Sequence, residues 1–241
     1  MIEQVFRLID WLLPPRCGSC RAVGAWLCAS CAARVRPLTE PLCRRCGREL
    51  SFSGDSCGCR HRLRCLSRAR SAAEYRGPLE RAIHRFKYEG WRSLAPALAA
   101  LTAERLAGDV APGALLVAVP LHPGRQRRRG YNQSELLAVE LRRRLGTSGP
   151  GDAGRAAGPG PGRLLRLRDT PPQVGLDRVR RHANVAGAFA WRGADLAGRP
   201  VVVVDDVTTT GATLEACAAA LRGAGSGPVV GLTVARVVMD G

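Results

Sequence analysis

The chain has 241 residues, of which 46% are hydrophobic, and this length is sufficient to bury one medium-sized core beside a smaller module. Its formal net charge of +17 suggests a polyanionic partner, such as a phosphorylated metabolite or a nucleic acid, although nearly all basic residues are arginine, a bias that base composition also produces. No stretch approaches the roughly 20 apolar residues of a membrane span, which argues against an integral membrane protein.

The first thirteen residues predict an amphipathic helix, because apolar side chains recur there at helical spacing and Pro14 ends the pattern. Glu3 and Asp10 interrupt the apolar residues, and the segment lacks the basic start of a secretory signal peptide. We therefore expect a cytoplasmic protein, in which reduced cysteines are available to bind metal.

Nine of the ten cysteines precede residue 66. Two C-x-x-C pairs that are separated by seven residues allow four thiolates to converge on one tetrahedral zinc ion. This first ligand set is Cys17, Cys20, Cys28 and Cys31. The second set that we favour is Cys43, Cys46, Cys57 and Cys59. Because a four-cysteine site leaves no open coordination position, both zinc ions are expected to be structural.

The second cysteine set is less regular than the first, since only one residue separates Cys57 from Cys59. Cys65 and His61 are spare ligands nearby, and Cys65 could replace one of the four. A degenerate second site that has lost its metal is the alternative interpretation.

From residue 67 onward the pattern is that of an α/β domain. Strands are predicted at 69–75, 114–120, 164–168, 187–191, 201–205 and 228–237, and helices at 78–89, 93–106, 133–145, 174–182 and 212–224. This alternation predicts a mostly parallel sheet flanked by helices. We accordingly divide the chain into an N-terminal helix with a zinc-binding module, residues 1–66, and an α/β domain, residues 67–241.

Two segments of the second domain are predicted to be irregular. Residues 120–133 are an arginine-rich loop, which could bind a pyrophosphate through planar guanidinium groups or could be a solvated run of charge. Residues 147–162 are rich in Gly, Pro and Ala and poor in large apolar groups, so we expect a mobile insertion that interrupts the domain without ending it.

The stretch VVVVDDVTTTGATL, residues 201–214, is the most informative part of the sequence. Its valines predict a buried strand that places Asp205 and Asp206 at its carboxyl end, where ligands bind in open α/β sheets. The turn that follows is rich in hydroxyl groups and begins a helix, whose first N–H groups attract an anion. Since carboxylates repel a polyphosphate unless they meet hydroxyls or a metal ion, a phosphorylated ribose fits this site. A capped helix beside two solvated acids is the structural alternative.

This stretch closely resembles the motif with which type I phosphoribosyltransferases bind phosphoribosyl pyrophosphate (PRPP). In that motif paired acids hold the ribose hydroxyls, and a Thr- and Gly-rich loop holds the 5-phosphate. The resemblance implies that Asp205 and Asp206 bind the ribose. It implies that the loop comprises Val207, Thr208, Thr209, Thr210, Gly211, Ala212 and Thr213.

The stretches RRGYNQS (128–134), RDTPPQ (168–173) and RHANVAGAF (181–189) resemble signatures of the ComF family, as do the cysteine module and residues 75–90. The spacing of Cys57 and Cys59 departs from that family, which usually has two intervening residues. Members have a phosphoribosyltransferase fold and include competence proteins needed for natural DNA transformation. The resemblance implies that Mg²⁺ accompanies PRPP and that Asp205, Asp206 and Arg129 are catalytic. It implies further PRPP contacts from Arg129, Asn132, Gln133, Arg168, Thr170, Gln173 and Lys87, the last being equally well explained as a helix-end cation.

Two hypotheses follow from these features. The first is a PRPP-binding phosphoribosyltransferase, with an acceptor that the resemblance does not identify, in a role linked to DNA uptake. The second is a non-catalytic accessory protein of DNA uptake whose basic zinc module binds single-stranded DNA, with DNA-uptake proteins as further partners. Trp26 and Phe52 are the aromatic residues of that module, which is few for a single-strand binder.

Overall fold

The computed structural model describes residues 14–52, 57–149, 162–170 and 184–238. The helices predicted at 2–13 and 174–182 lie outside these residues, as do Gln173 and most of the predicted insertion at 147–162. At the start of that insertion, the Leu116 N–H donates to the Ser148 carbonyl at 2.9 Å, so residue 148 pairs with the domain.

The described elements follow the predicted alternation of strands and helices. In chain order they are α1 (Ala29–Ala32), β1 (Arg68–Glu74), α2 (Gly77–Tyr88), α3 (Ala95–Leu106), β2 (Leu115–Ala118), α4 (Pro123–Arg129), α5 (Gln133–Leu145), β3 (Arg163–Arg166), β4 (Phe189–Arg192), β5 (Val201–Thr208), α6 (Ala212–Gly223) and β6 (Val229–Arg236). Short 3₁₀ helices occur at Arg92–Leu94 and Ala107–Asp109. None of the helices within these described residues is long and apolar enough to cross a membrane.

Four parallel strands form the main sheet in the order β1–β6–β5–β2, which confirms the predicted fold class. Because strand residues alternate between faces, Val202 and Val204 pack with α2, α3 and α5, whereas Val201 and Val203 pack with α6. All four valines are at most 1% exposed, as expected for a central strand covered on both faces. The sheet thus presents the carboxyl end of β5 between two layers of helices.

Two predicted elements differ from the structure. β3 and β4 form a separate antiparallel pair, in which Leu164 lies opposite Trp191, and do not join the parallel sheet. The basic segment predicted as a loop contains α4, which has Pro123 at its first position and ends at Gly130, whose φ is +81°. Proline at the first position and glycine after the last are helix boundary signals that the run of arginines obscured.

The zinc module covers the open edge of the sheet at β1. The Ala69 N–H donates to the Arg45 carbonyl at 2.6 Å, and the Glu74 N–H donates to the Arg36 carbonyl at 2.9 Å. An uncovered edge strand is a template for pairing with another chain, so the module protects this edge. The buried Arg236 guanidinium at the end of β6 also donates to the Cys46 carbonyl at 2.7 Å.

Candidate functional site

The candidate site lies at the carboxyl end of β5, where Asp205 and Asp206 follow the buried valines. Asp206 continues the face of Val204, and its carboxylate points toward α2. There the Lys87 ammonium lies 2.8 Å from Asp206 Oδ1, and the two side chains are 17% and 3% exposed. The structure therefore brings the predicted Lys87 and Asp206 together as a buried ion pair.

This ion pair satisfies only one carboxylate oxygen. Asp206 Oδ2 is buried and has no hydrogen-bond partner among the described residues. Burial acts to lower the pKa of Lys87, but the Asp206 carboxylate outweighs it, so the net effect is a raised pKa and a charged lysine. The remaining oxygen of Asp206 is thus an acceptor suited to a hydroxyl group or a cation.

Asp205 differs from Asp206 in its surroundings. Its Oδ1 accepts hydrogen bonds from the Ser134 hydroxyl at 2.8 Å and from the Asp206 N–H at 2.9 Å. Burial and the neighbouring Asp206 carboxylate raise the pKa of Asp205 to about 7, against the opposing effects of Lys87 and these two donors. Asp205 therefore titrates near neutral pH.

Residues 208–213, which we call the hydroxyl loop, run from the last residue of β5 into the first turn of α6. Thr208 is 4% exposed at the end of the strand, and Gly211 precedes α6 with a φ of +83°. The Ala212 N–H donates to the Thr210 hydroxyl oxygen at 3.3 Å. A 12-residue helix that starts from such a turn directs the N–H groups of its first turn and the positive end of its dipole toward the loop.

Asn132 connects the basic segment to the carboxylates. Its Oδ1 accepts the Ser134 N–H at 3.1 Å as the N-cap of α5, and its Nδ2 donates to the Val119 carbonyl at 3.0 Å. The side chain is therefore fully engaged within the protein, and it fixes the serine that binds Asp205.

Arg129 and Gln133 contact each other rather than the carboxylates. Arg129 Nη1 donates to Gln133 Oε1 at 2.5 Å, and the same guanidinium lies 5.1 Å from the centre of the Tyr88 ring. Since Tyr88 follows Lys87 in α2, this pair of side chains lies at the border of the site. Tyr88 is 64% exposed, which leaves room for movement at this border.

The two predicted site residues that follow β3, Arg168 and Thr170, differ in burial. Arg168 is exposed and donates to the Ala186 carbonyl. Thr170 is buried, its hydroxyl accepts from Arg166 Nη2 at 2.5 Å, and its carbonyl accepts from Arg125. The arginines that surround Thr170 are thus Arg166 and Arg125.

Sequence reasoning missed Ser134, Arg166 and Arg125. Burial and the nearby Arg125 lower the pKa of Arg166, while the Asp205 carboxylate is among the charges that oppose this shift. Ser134 could have been recognised from its position two residues after the N-cap Asn132. No local signal distinguishes Arg166 from the many other arginines, because its position depends on the β3–β4 pair.

The cysteines form two clusters, and within each the four sulfur atoms lie within 4.8 Å of one another. Thiolates bound tetrahedrally at about 2.3 Å from zinc are about 3.8 Å apart. The Cys20–Cys28 distance of 3.7 Å and the Cys43–Cys59 and Cys46–Cys57 distances of 3.6 Å fit this geometry, whereas Cys43 and Cys57 are closer, at 3.0 Å. Both four-cysteine sets are structural zinc sites.

The second cluster consists of the four favoured cysteines and does not include Cys65. The four clustered residues are Cys43, Cys46, Cys57 and Cys59. Cys65 lies outside this cluster, and its backbone N–H donates to Glu215 in α6 at 2.8 Å. The single residue between Cys57 and Cys59 therefore does not prevent their sulfur atoms from converging.

Comparisons with known proteins agree with this architecture. A double zinc ribbon domain model matches residues 8–66. The DNA utilization protein YhgH of Escherichia coli (strain K12) is 33% identical over 217 residues, covering 84% of this chain and 88% of the relative. Competence protein F of Haemophilus influenzae is 33% identical, covering 81% and 84%. Competence protein ComFC of Bacillus subtilis is 27% identical, covering 81% and 77%.

Proposed function

The chain belongs to the ComF family, and we propose that its α/β domain binds PRPP at Asp205, Asp206 and the hydroxyl loop. The observation that supports this most strongly is the unpartnered buried oxygen of Asp206. Leaving such an acceptor without a partner costs about 1–3 kcal/mol, and a ribose hydroxyl supplies the missing donor. The adjacent hydroxyl loop provides N–H groups for the phosphate of the same sugar.

The pyrophosphate of PRPP is assigned to the basic side of the site. Arg129 can reach it by exchanging its bond to Gln133, and Arg125 and Arg166 add positive charge near Asp205. Mg²⁺ supplies charge neutralisation for the pyrophosphate when it is bound. Of the other implied contacts, Asn132 positions Ser134, and Thr170 positions Arg166. Arg168 would have to leave the Ala186 carbonyl to reach PRPP. Gln133 and Gln173 remain proposed contacts.

The proposed reaction transfers the phosphoribosyl group to an acceptor. A bond forms between the acceptor nucleophile and ribose C1 as the bond from C1 to pyrophosphate breaks, and the acceptor proton passes to solvent. The carboxyl groups of Asp206 and Asp205 lie where they can stabilise the positive charge that develops on the ribose. Because relatives are named for competence and DNA utilization, we place this activity in the handling of imported DNA.

The test of this proposal is calorimetric titration with PRPP and Mg²⁺. Asp205→Asn and Asp206→Asn should each weaken binding by about 10- to 100-fold, since hydrogen bonds to charged groups contribute about 1.5–3 kcal/mol. Glu104→Gln, an exposed charge removal on α3, is the control and should bind as the wild type does. Equal affinity of the wild type and both aspartate variants would refute the assignment.

A second function, nucleic-acid binding, is supported by a cleft beside the second zinc site. The cleft has a volume of about 830 Å³, and its lining includes Glu40, three zinc-ligand cysteines and five basic residues, namely Arg44, Arg45, Arg60, His61 and Arg70. Guanidinium groups in this arrangement bind backbone phosphates without reading sequence. We therefore propose that single-stranded DNA binds here, on a surface separate from the PRPP site.

Fluorescence anisotropy with a labelled oligonucleotide tests the cleft. Replacing the exposed Arg44 and Arg60 with alanine should weaken binding and reduce the salt slope by about 0.7 for each lost phosphate contact. The matched control removes two exposed arginines elsewhere, Arg163 and Arg192, which face each other across β3 and β4. Equal losses in the two double variants would indicate binding to net charge alone and would contradict a dedicated cleft.

A further inference from the structure

Glu215, in the first turn of α6, binds the last residues of the zinc module. Its Oε1 accepts the Arg64 and Cys65 N–H groups at 2.8 Å each, and its Oε2 accepts the Leu66 N–H at 2.9 Å. Three charge-assisted hydrogen bonds to one carboxylate fix the relative positions of the two segments. The Glu215 N–H also donates to the Gly211 carbonyl at 2.9 Å, which links this contact to the hydroxyl loop.

A second contact reaches the hydroxyl loop itself. The fully buried Leu63 lies against Gly211, where an added Cβ would approach its Cδ2 to 3.4 Å. Residues 63–66 follow directly after the second zinc ligand set, and the Leu63 N–H donates to the carbonyl of its ligand Cys59 at 3.0 Å. Leu63 thus contacts both the zinc ligand Cys59 and Gly211 of the hydroxyl loop.

A third contact joins the same zinc site to the far side of the loop. Arg236 is the register partner of Thr208 in the sheet, and its guanidinium donates to the carbonyl of the ligand Cys46. Arg236 is 5% exposed, so its guanidinium is solvated by protein groups such as this carbonyl and hardly at all by water. The second zinc site thus reaches the hydroxyl loop indirectly from two sides, through Leu63 against Gly211 and through Arg236 beside Thr208.

The first zinc site contacts a different element. Arg85 Nη1 of α2 donates to the Gly18 and Ser19 carbonyls at 2.6 and 2.9 Å, and Arg81 donates to the Ser19 hydroxyl at 3.2 Å. These bonds attach the first site to α2, which lies on the opposite face of the sheet from α6.

We propose that the second zinc site, acting through Glu215 and Leu63, holds the hydroxyl loop in its binding conformation, so that zinc at this site determines the affinity for a phosphate monoester. Glu215 is a positioning residue in this proposal, because its carboxylate binds three backbone N–H groups of the zinc module. The proposal rests on the function assigned to the loop above. It adds that the zinc ion of the second site, but not that of the first, affects the affinity for the ligand.

Hydrogen exchange tests the contact without any ligand. In Cys57→Ser/Cys59→Ser, which removes two ligands of the second site, the amide protons of residues 208–215 should exchange about tenfold faster, as expected for the loss of about 1.4 kcal/mol of local stability. In Cys20→Ser/Cys28→Ser, the matched change at the first site, they should exchange at the wild-type rate. Equal exchange of this segment in both variants would overturn the proposal.

Glu215→Ala provides a variant that retains every zinc ligand. It should weaken binding of ribose 5-phosphate about tenfold and leave binding of inorganic pyrophosphate unchanged, because only the former requires the hydroxyl loop. Glu80→Ala is the control, since Glu80 is likewise the fourth residue of its helix and is exposed. Equal weakening for both ligands would show general destabilisation and would overturn the positioning role.

These measurements separate the two proposals. A wild-type protein that binds no ribose 5-phosphate contradicts the proposed function, and the exchange rates of residues 208–215 still decide whether the second zinc site holds the loop. Binding of ribose 5-phosphate that is unchanged in Glu215→Ala contradicts the positioning role and leaves the proposed function intact.

Discussion

At the scale of single residues, the site depends on two adjacent acids with different environments. The sequence predicted their position at the end of a buried strand, because four consecutive valines are typical of a strand that is covered on both faces. It could not predict that Lys87 pairs with Asp206, because this contact joins α2 to β5 across the tertiary fold. The interpretations of Lys87 as a helix-end cation and as a site residue were equally compatible with the sequence.

The ion pair between Lys87 and Asp206 yields a prediction for folding stability. Lys87→Met should lower the free energy of unfolding by about 3 kcal/mol, because a carboxylate that is 3% exposed loses its countercharge. Adding Asp206→Asn should restore most of that loss. Urea denaturation of the two single variants and the double variant measures this coupling, and strictly additive effects would contradict it.

The raised pKa of Asp205 yields a prediction for pH dependence. An aspartate whose folded pKa is about 7, above its ordinary 3.8, destabilises the fold when ionised, so this cost is small near pH 4 and complete above about pH 7. Asp205→Asn should therefore stabilise the protein more at pH 8 than at pH 5, relative to wild type. Exposed Asp195→Asn serves as the control in the same unfolding experiments. A constant difference between wild type and Asp205→Asn from pH 5 to 8 would disprove the shift.

At the scale of elements, hydrophobic patterning predicted the four parallel strands and helices α2, α3, α5 and α6. It failed for α4, because a run of arginines has no apolar periodicity and the proline and glycine boundaries were the only signal. It also failed to separate β3 and β4 from the main sheet, because strand direction is decided by tertiary packing. Consequently, the bond between Arg166 and Thr170 was not predicted.

The start of α6 yields a prediction about the hydroxyl loop. Gly211→Ala should destabilise the protein by about 1 kcal/mol and weaken PRPP binding, because alanine is strained at a φ of +83°. Gly223→Ala, at the other end of the same helix, has open space and should be neutral or stabilising. Thermal unfolding and PRPP titration measure the difference between the two variants. Equal effects of both substitutions would show that the loop does not require a residue in the left-handed conformation.

At the scale of the whole molecule, the zinc module is part of the structural support of the α/β domain. It covers the edge of β1, and its backbone binds Glu215 and Arg236, which lie on the two sides of the hydroxyl loop. The cysteine spacing predicted the first ligand set directly, because two regular C-x-x-C pairs converge on one zinc ion, and it left Cys65 as an alternative ligand for the second. The contacts of the module with Glu215 and Arg236 were not predictable, because they join residues that are distant in the sequence.

This support yields a prediction for metal removal. Chelation should release two zinc ions per chain, lower the melting temperature by about 10 °C and promote aggregation, because the edge of β1 loses its cover. Addition of zinc should reverse these changes, whereas a reductant alone should have no effect. Differential scanning calorimetry combined with metal analysis measures this, and an unchanged melting temperature after zinc release would contradict a structural role.

The most direct test of the account is hydrogen exchange of the zinc-loaded protein with PRPP and Mg²⁺. We predict slower exchange in residues 205–213 and at the start of α5, and no such protection in Asp205→Asn/Asp206→Asn. Protection that is confined to the cleft at residues 40–61, or the same protection in wild type and the double variant, would contradict a PRPP site at the end of β5.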